Sequence, residues 1–547
     1  MAWYGIPYAA PPLGTLRWRA PRPAPAWQGE FQAIDRSSRC LQLASGFEPG
    51  FEEGDLAGTE DCLHLNIWAP ATTPSRPLPV MFWIHGGGNV WGFAGQYEMG
   101  ALAQRENLIV VAVNYRLGPF GWFAHQAIRD TAETPLDRSP NFAILDLVAA
   151  LDWVRANISA FGGDPENLTV FGESAGGFNT ATLLASPLAS GKIRRAIIQS
   201  GAFTSSTLAA AEQETPIDSD KPRISSSDLV NALVAAGELQ TTYQGAELAE
   251  QLRRIPGPTL MQRFREMQGN NSLFGGINVV NQIADGIAIP REGMEHWLDD
   301  HHAASNVPVM LGVNRDEAMI TGLGDGELTN NLFNIIFWPT DDKLYRANGE
   351  YPSRLWFALG VTDPARRLLA SGKGPVYTYR FDWDEQGRAL LTDVSELVGA
   401  THALEVAFVT GGFQDRVSDP LGVYFNERNQ AAREALSAIM MSYWAEFAYR
   451  GSPGQGRSGN LPAWKAVDHN ATQQSMIFDT PQGGGVRMQE SEEDAHSILR
   501  ALASDERTNS DSKRCKVAQS SLSLLNILQT RDTALRTIAG AYCNSQE

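Results

Sequence analysis

The stretch Asp164-Pro165-Glu166-Asn167-Leu168-Thr169-Val170-Phe171-Gly172-Glu173-Ser174-Ala175-Gly176-Gly177 decides the fold. A turn at Gly162, Gly163, Asp164 and Pro165 opens it, and residues 168–171 form a short apolar run with strand character. Then comes Gly172-Glu173-Ser174-Ala175-Gly176, which fits Gly-x-Ser-x-Gly. That pattern describes a sharp strand-to-helix turn holding a serine at its tip, hydroxyl outward. Small residues are needed on both sides because the two backbones pass close together. The helix that follows aims its first N–H groups at whatever sits beside the serine. Five residues recur by chance, so the flanks must carry the reading.

The flanks alternate apolar strands with helices. Residues 80–84 form a buried strand that runs into His85-Gly86-Gly87-Gly88, and 108–115 form another that ends in Asn114-Tyr115-Arg116. Residues 141–157 place apolar side chains at 144, 145, 147, 148, 151 and 154, the spacing of an amphipathic helix. The run 195–199 is a strand closed by Ser200-Gly201. The run 307–313 is a further strand, ending in Asn314-Arg315-Asp316-Glu317. Residues 376–383 alternate as a strand, with Gly399-Ala400-Thr401-His402 on a loop beyond it, and a long helix covers 427–449. Leu63, Leu65 and Ile67 alternate within a strand at 61–68. Strands that read as apolar runs between helices predict a mostly parallel α/β sheet covered on both faces.

Other segments read less distinctly. The first 30 residues, rich in proline and aromatics, predict irregular chain ordered only by packing. Residues 205–300 read as a helical insertion over the C-terminal edge of the sheet, and 325–370 again as helical. Beyond about 485 the chain turns polar, although Leu522, Leu525, Leu528, Leu535 and Ile538 keep helical spacing.

Composition narrows the classes of function. The 547 residues are 43% hydrophobic and 19% charged, the balance of a globular protein with a large core. A net charge of −18 argues against nucleic-acid and anionic-membrane surfaces, which need clustered Lys and Arg. No run approaches the ~20 apolar residues of a membrane span. Cys40, Cys62, Cys515 and Cys543 contain no Cys-x-x-Cys pair, so neither a zinc nor a redox site is expected. Two distant local pairs point instead to two short-loop disulfides and an oxidising compartment. A continuous helix would hold Cys515 and Cys543 roughly 40 Å apart at ~1.5 Å per residue. Their pairing therefore needs a hairpin, for which Thr530-Arg531-Asp532 supplies a break.

A serine becomes a strong nucleophile only when a positioned base takes its proton, usually a histidine oriented by a carboxylate. In α/β hydrolases the chain order is nucleophile, acid, histidine, each on a loop after a strand. Ser174, then Asp316 or Glu317, then His402 satisfy that order. The glycines after His85 have the form of an oxyanion loop, with the N–H of Ala175 as a further donor. His64 reads as structural, His301 and His302 as solvated, and Asp285-Gly286 as a turn before Pro290. Trp91 and Phe93 suit either a pocket wall or core packing. Asn157, Asn167, Asn270 and Asn470 begin Asn-x-Ser/Thr sequons.

Taken together these blocks resemble the type-B carboxylesterases, the group that includes bacterial and animal carboxylesterases and the cholinesterases. The resemblance runs over roughly residues 1–480. It rests on Gly5-Ile6-Pro7-Tyr8-Ala9 with Leu16-Arg17-Trp18, on Glu60-Asp61-Cys62-Leu63-His64-Leu65-Asn66-Ile67, and on Trp83-Ile84-His85-Gly86-Gly87-Gly88. Asn114-Tyr115-Arg116, the run from Phe161 through Gly177, and Gln199-Ser200-Gly201 complete it.

The resemblance implies an α/β-hydrolase fold over 1–485 with helical insertions over the active site, and a polar, partly helical extension over 486–547. It implies a triad of Ser174, Glu317 and His402, with Glu317 chosen over Asp316 and His402 lying in Thr401-His402-Ala403-Leu404-Glu405. Gly87, Gly88 and Ala175 form the oxyanion hole, and Cys40–Cys62 is a disulfide. Ala318 departs from the family's glycine after the acid. Between Cys40 and Cys62 lie Phe47 and Phe51 but no tryptophan, which disfavours a choline-ester specialist. Asn89 stands where an aromatic is common, which predicts a more polar acyl side. Family members begin some tens of residues earlier, so a first hairpin is expected to be missing.

The resulting expectation is a carboxylic ester hydrolase acting through an acyl-enzyme on a small-molecule ester. No metal, cofactor or nucleic-acid partner is implied, and the location is secreted or extracytoplasmic. The rivals are a lipase or sterol esterase and a catalytically silent adhesion module, whose neuroligin and thyroglobulin branches have lost triad residues.

Overall fold

Seven consecutive residues, Leu78–Ile84, are all buried, and so are all five of Ile109–Val113. Apolar side chains on both faces leave such strands only one stable place, inside a sheet covered on each side. In the computed structural model the described residues are 1–44, 51–52, 54–72, 74–213, 224–268, 280–302, 307–332, 336–389, 391–415, 418–419, 422–468, 474–490, 493–530 and 532–543. They form two compact units, Met1–Ile197 with Phe203–Ser305, and Ile198–Ala202 with Asn306–Glu547.

The first unit contains β1 (Ala2–Pro7), β2 (His64–Trp68), β3 (Leu78–Ile84), β4 (Ile109–Val113) and β5 (Gly163–Glu173). Strand β6 (Arg195–Gln199) runs out of it into the second unit. The order is β1-β2-β4-β3-β5-β6, with β1, β2 and β4 antiparallel and β3 parallel to both β4 and β5. Ile84 lies opposite Gly172, so β3 and β5 end side by side and the chain leaves both at the same edge. Helices α1 (Phe142–Asn157) and α2 (Ala175–Ala185) belong to this unit, and every residue of α2 is buried. Arg116 and Asp146 of α1 form a buried two-pronged ion pair, Nε–Oδ2 2.8 Å and Nη2–Oδ1 2.7 Å, which fixes the chain after β4.

The second unit contains β7 (Val309–Asn314), β8 (Val376–Phe381), β9 (Gln474–Phe478) and β10 (Arg487–Glu490). The first three are parallel and β10 is antiparallel to β9. Its long helices are α3 (Asp342–Phe357), which continues as a π-helical turn over Ala358–Thr362, α4 (Gln430–Arg450), α5 (Asp511–Ile527) and α6 (Thr533–Ala541). Tyr379, Trp444, Trp464 and Phe478 cluster at its centre, their ring centroids 5.1 Å to 6.2 Å apart.

Two readings need correction. The first 30 residues are not all irregular, because Ala2–Pro7 pairs with β2 and Gly5 N donates to Asn66 Oδ1 at 2.9 Å. Backbone pairing at a sheet edge tolerates the proline that made the segment look structureless. Residues 325–370 are not helical throughout, since Thr329–Leu332 and Ile336–Pro339 form a hairpin before α3 begins. Asp341 starts that helix by accepting from the Lys343 and Leu344 N–H groups.

Both disulfides form, Cys40–Cys62 and Cys515–Cys543. The second closes a helical hairpin, α5 against α6, which brings its Cα atoms to 4.6 Å. Asp532 caps α6 by accepting from Ala534 and Leu535 N–H groups, and Gln529 takes a positive φ of 51° in the turn. Arg531 lies outside the described residues. Among the described residues no helix is long and apolar enough to cross a membrane.

Removing the Cys515–Cys543 bridge frees a loop of 28 residues in the unfolded chain. The loop-closure argument gives a loss of about 3–4 kcal/mol. A Cys515→Ser/Cys543→Ser variant should unfold at clearly lower urea concentration by circular dichroism. An unchanged midpoint would mean that the hairpin holds without its bridge.

Candidate active site

In the first unit the end of β5 turns at Ser174, whose φ of 54° and ψ of −125° lie outside the regions a side-chain-bearing residue prefers. Such strain persists only where the surroundings impose it. Here they do: a Cβ at Gly176 would sit 2.0 Å from the Ile84 carbonyl oxygen, and one at Gly172 would sit 2.5 Å from the Gly176 carbonyl oxygen. The flanking glycines let β3, β5 and α2 converge and leave Ser174 partly exposed at the tip.

The loop after β3 presses on this elbow. A side chain at Gly86 would meet the Glu173 carboxylate at 2.8 Å and lie 3.1 Å from Ser174 Cβ. Gly87 and Gly88 have φ of 99° and 60°, and the Gly87 carbonyl accepts from Val90 and Trp91 N–H groups. His85 is fully buried against Tyr115, ring centroids 4.4 Å apart. Its Nδ1 lies 2.8 Å from the Gly86 carbonyl oxygen, while Tyr115 Oη donates to the His85 carbonyl at 2.7 Å. Burial pushes the His85 imidazole down to about 4, so the ring is neutral at pH 7.

In the second unit Glu317, at the end of β7, has a fully buried side chain and meets His402 Nδ1 through Oε2 at 2.5 Å. Its Oε1 accepts from Ser200 Oγ at 2.5 Å and from Asn314 N at 2.8 Å. These bonds fix the carboxylate and, through it, the imidazole. Asp316 turns elsewhere: Oδ2 accepts from Arg315 Nε and Nη2 and from Ala400 N. It ties the loop carrying Glu317 to the loop carrying His402 through Ala400 N.

Beneath this pair Glu405 accepts from Gln199 Nε2 at 3.0 Å and Asn314 Nδ2 at 2.7 Å. Complete burial, reinforced by the charge of Glu317, pushes Glu405 up to about 7. Trp356, 7% exposed, lies with its ring 5.1 Å from the His402 ring.

This geometry agrees with what comparison with known proteins finds. The sequence profile of the Carboxylesterase family matches residues 1–329 and 327–497. The chain belongs to the carboxylesterase family. It is 34% identical over 496 residues to the para-nitrobenzyl esterase of Bacillus subtilis (strain 168), covering 87% of this chain and 91% of that one. With carboxylesterase 1D of Rattus norvegicus the identity is 31% over 497 residues, 85% of this chain and 83% of the relative. A solved PNB esterase superposes with a TM-score of 0.69 at 29% identity, covering 91% of this chain and 95% of that one. The carboxylesterase Est55 of Geobacillus stearothermophilus gives 0.66 at 29%, covering 90% and 94%. The chain is thus a carboxylic ester hydrolase with the α/β-hydrolase fold, a large, mostly parallel sheet surrounded by helices.

Within this family frame, the structure brings Gly86 beside Ser174 in the first unit, and Glu317 together with His402 in the second. His64 bonds Ser38 Oγ at 2.7 Å and Asp285 accepts from three N–H groups at 287–289, both architectural positions. The Asn89 side chain is 2% exposed and turned onto Asn179, so it adds little polar surface for an acyl group. Asn157 and Asn167 both engage protein partners, Trp153 O and Arg195. Phe47, Asn270 and Asn470 lie outside the described residues.

Sequence reasoning missed the supporting roles of Ser200, Glu405 and Trp356. The signals available for the first two were the Gln199-Ser200-Gly201 block and the acid three residues after His402. Nothing in the sequence marked Trp356.

A carboxyl near 7 in the fold and near 4.5 when unfolded keeps its proton longer in the native state. Its contribution is therefore full below about 4.5 and is lost as pH rises to about 7, amounting to a few kcal/mol. Urea unfolding of Glu405→Gln should lose less stability between pH 5 and 7.5 than that of the parent enzyme. Parallel curves for the two would contradict this.

Proposed function

We propose that Ser174, His402 and Glu317 act as one catalytic triad on carboxylic esters. His402 Nε2 takes the Ser174 hydroxyl proton as Oγ bonds to the ester carbonyl carbon. Glu317 keeps the imidazole in the tautomer with Nδ1–H and stabilises the imidazolium. The tetrahedral oxyanion is bound by the N–H groups of Gly87, Gly88 and Ala175, a type of contact whose loss raises a barrier by roughly 3 kcal/mol. Collapse breaks the ester C–O bond, the alcohol leaves with the proton from His402, and water repeats the sequence to release the acid. The observation that carries this reading is the Glu317–His402 hydrogen bond at 2.5 Å, in a chain whose serine elbow packs against a glycine loop.

The substrates we propose are small soluble esters, with p-nitrobenzyl esters suggested by the name of the Bacillus relative. We assign catalysis to residues 1–485 and treat 486–547 as an extension that includes the disulfide-closed hairpin. Two disulfides support a secreted or extracytoplasmic location.

Ser174→Ala should lower kcat for a p-nitrophenyl ester by about 10⁴–10⁶-fold with unchanged circular dichroism. Turnover at the parent rate would overturn the assignment.

A further inference from the structure

Behind the glycine loop the first unit buries side-chain amides end to end. Asn179 Nδ2 donates to Asn89 Oδ1 at 2.9 Å, and Gln282 Nε2 donates to Asn179 Oδ1 at 2.8 Å. The three residues are 2%, 0% and 1% exposed. A buried amide is costly unless paired, and a half-satisfied polar chain is worse than apolar packing. A row of amides in a dry position therefore calls for a reason beyond filling space.

The elements they join supply one. Asn89 is the third successive residue with positive φ, 63° after 99° at Gly87 and 60° at Gly88. Asparagine is among the few side-chain-bearing residues that enter this region readily. Its carbonyl accepts from Gly118 N at 2.7 Å, so its backbone is held from the other side as well. Asn179 projects from α2, the helix whose first residue is Ala175. Asn179 also lies near enough to the Tyr115 hydroxyl to influence it, and that hydroxyl donates to the His85 carbonyl at 2.7 Å. One side chain on α2 thus bonds Asn89 directly and lies beside Tyr115, which holds the His85 carbonyl at the other end of the glycine run. Gln282 is the fixed end: its carbonyl accepts from Ser206 N, and the next residue, Ile283, exchanges two hydrogen bonds of 2.8 Å with Asn141, which precedes α1.

We propose that Asn89 and Asn179 are positioning residues for the oxyanion hole, holding the Gly87 and Gly88 N–H groups at a set distance from the Ala175 N–H, with Gln282 fixing the rotamer of Asn179. The inference rests on the oxyanion assignment made above. A tether of this kind acts on the transition state, where the oxyanion forms, and leaves ground-state binding nearly unchanged.

The test compares Asn89→Gly, Asn179→Ala and the double variant. Glycine keeps the positive φ at 89 and removes only the side-chain tether. The readouts are p-nitrophenyl acetate kinetics, the inhibition constant of a trifluoromethyl ketone that forms a hemiketal on Ser174, and thermal stability. Each single variant should lower kcat about tenfold with KM within about twofold, and weaken the ketone by a similar factor. The double variant should be no worse than the poorer single one, because both remove the same link. Unchanged kcat and ketone affinity, with or without a lower Tm, would overturn the proposal, as would effects that multiply to about a hundredfold. Should Asn179→Ala not fold, Asn89→Gly with the same readouts decides the matter alone. Full turnover by Ser174→Ala in the same assay would instead remove the triad assignment, and this inference with it.

Discussion

The closest backbone approach in the catalytic region is between Gly176 and the end of β3, where an added Cβ would lie 2.0 Å from a carbonyl oxygen. Everything around the serine elbow depends on that approach. It allows α2 to start directly beside β3, which places Ser174 at a strained tip and presents the Ala175 N–H next to the loop that leaves β3. The same economy of volume recurs at Gly86, which leaves room only for hydrogen beside Glu173 and Ser174. Strain at Ser174 is thus held by packing that a larger residue at 172, 176 or 86 would destroy.

The Glu317–His402 pair of the second unit is governed by electrostatics at close quarters. Glu317 accepts hydrogen bonds from His402, Ser200 and Asn314, an environment suited to a carboxylate. A second buried carboxyl, Glu405, sits beneath it and is pushed up to about 7 by burial and by its neighbour's charge. Two glutamates are thus treated differently by their surroundings: Glu317 holds His402, while Glu405, about half protonated near pH 7, accepts from Gln199 and Asn314. Asn314 binds both, donating its backbone N–H to Glu317 and its amide to Glu405.

How much of this was legible in the sequence follows from which forces leave a one-dimensional trace. Buried parallel strands do, and the runs around 80–84, 109–113 and 195–199 stand out because both of their faces are apolar. The elbow and the glycine loop do as well, since steric limits demand glycine at particular positions. Strand β1 did not, because it is held by backbone pairing with β2 and by Asn66, and its proline and aromatics mask that. The hairpin at 329–339 carries too little alternation to compete with the helical pattern that follows. Least visible were buried polar contacts: Asn179 lies fully buried in a helix of mostly small and apolar letters, and nothing in those letters says what its amide bonds. Polarity paired inside a core reads in the sequence as polarity facing water.

The central claim is that Ser174 is the atom-bearing centre of an acyl transfer carried out by this carboxylesterase. The most direct measurement is mass spectrometry of the protein after reaction with a fluorophosphonate, first intact and then as peptides. The account predicts one adduct per chain, located on the peptide that contains Ser174 and abolished by prior heat unfolding. An unmodified protein, or a stoichiometric adduct on a peptide without Ser174, would contradict it.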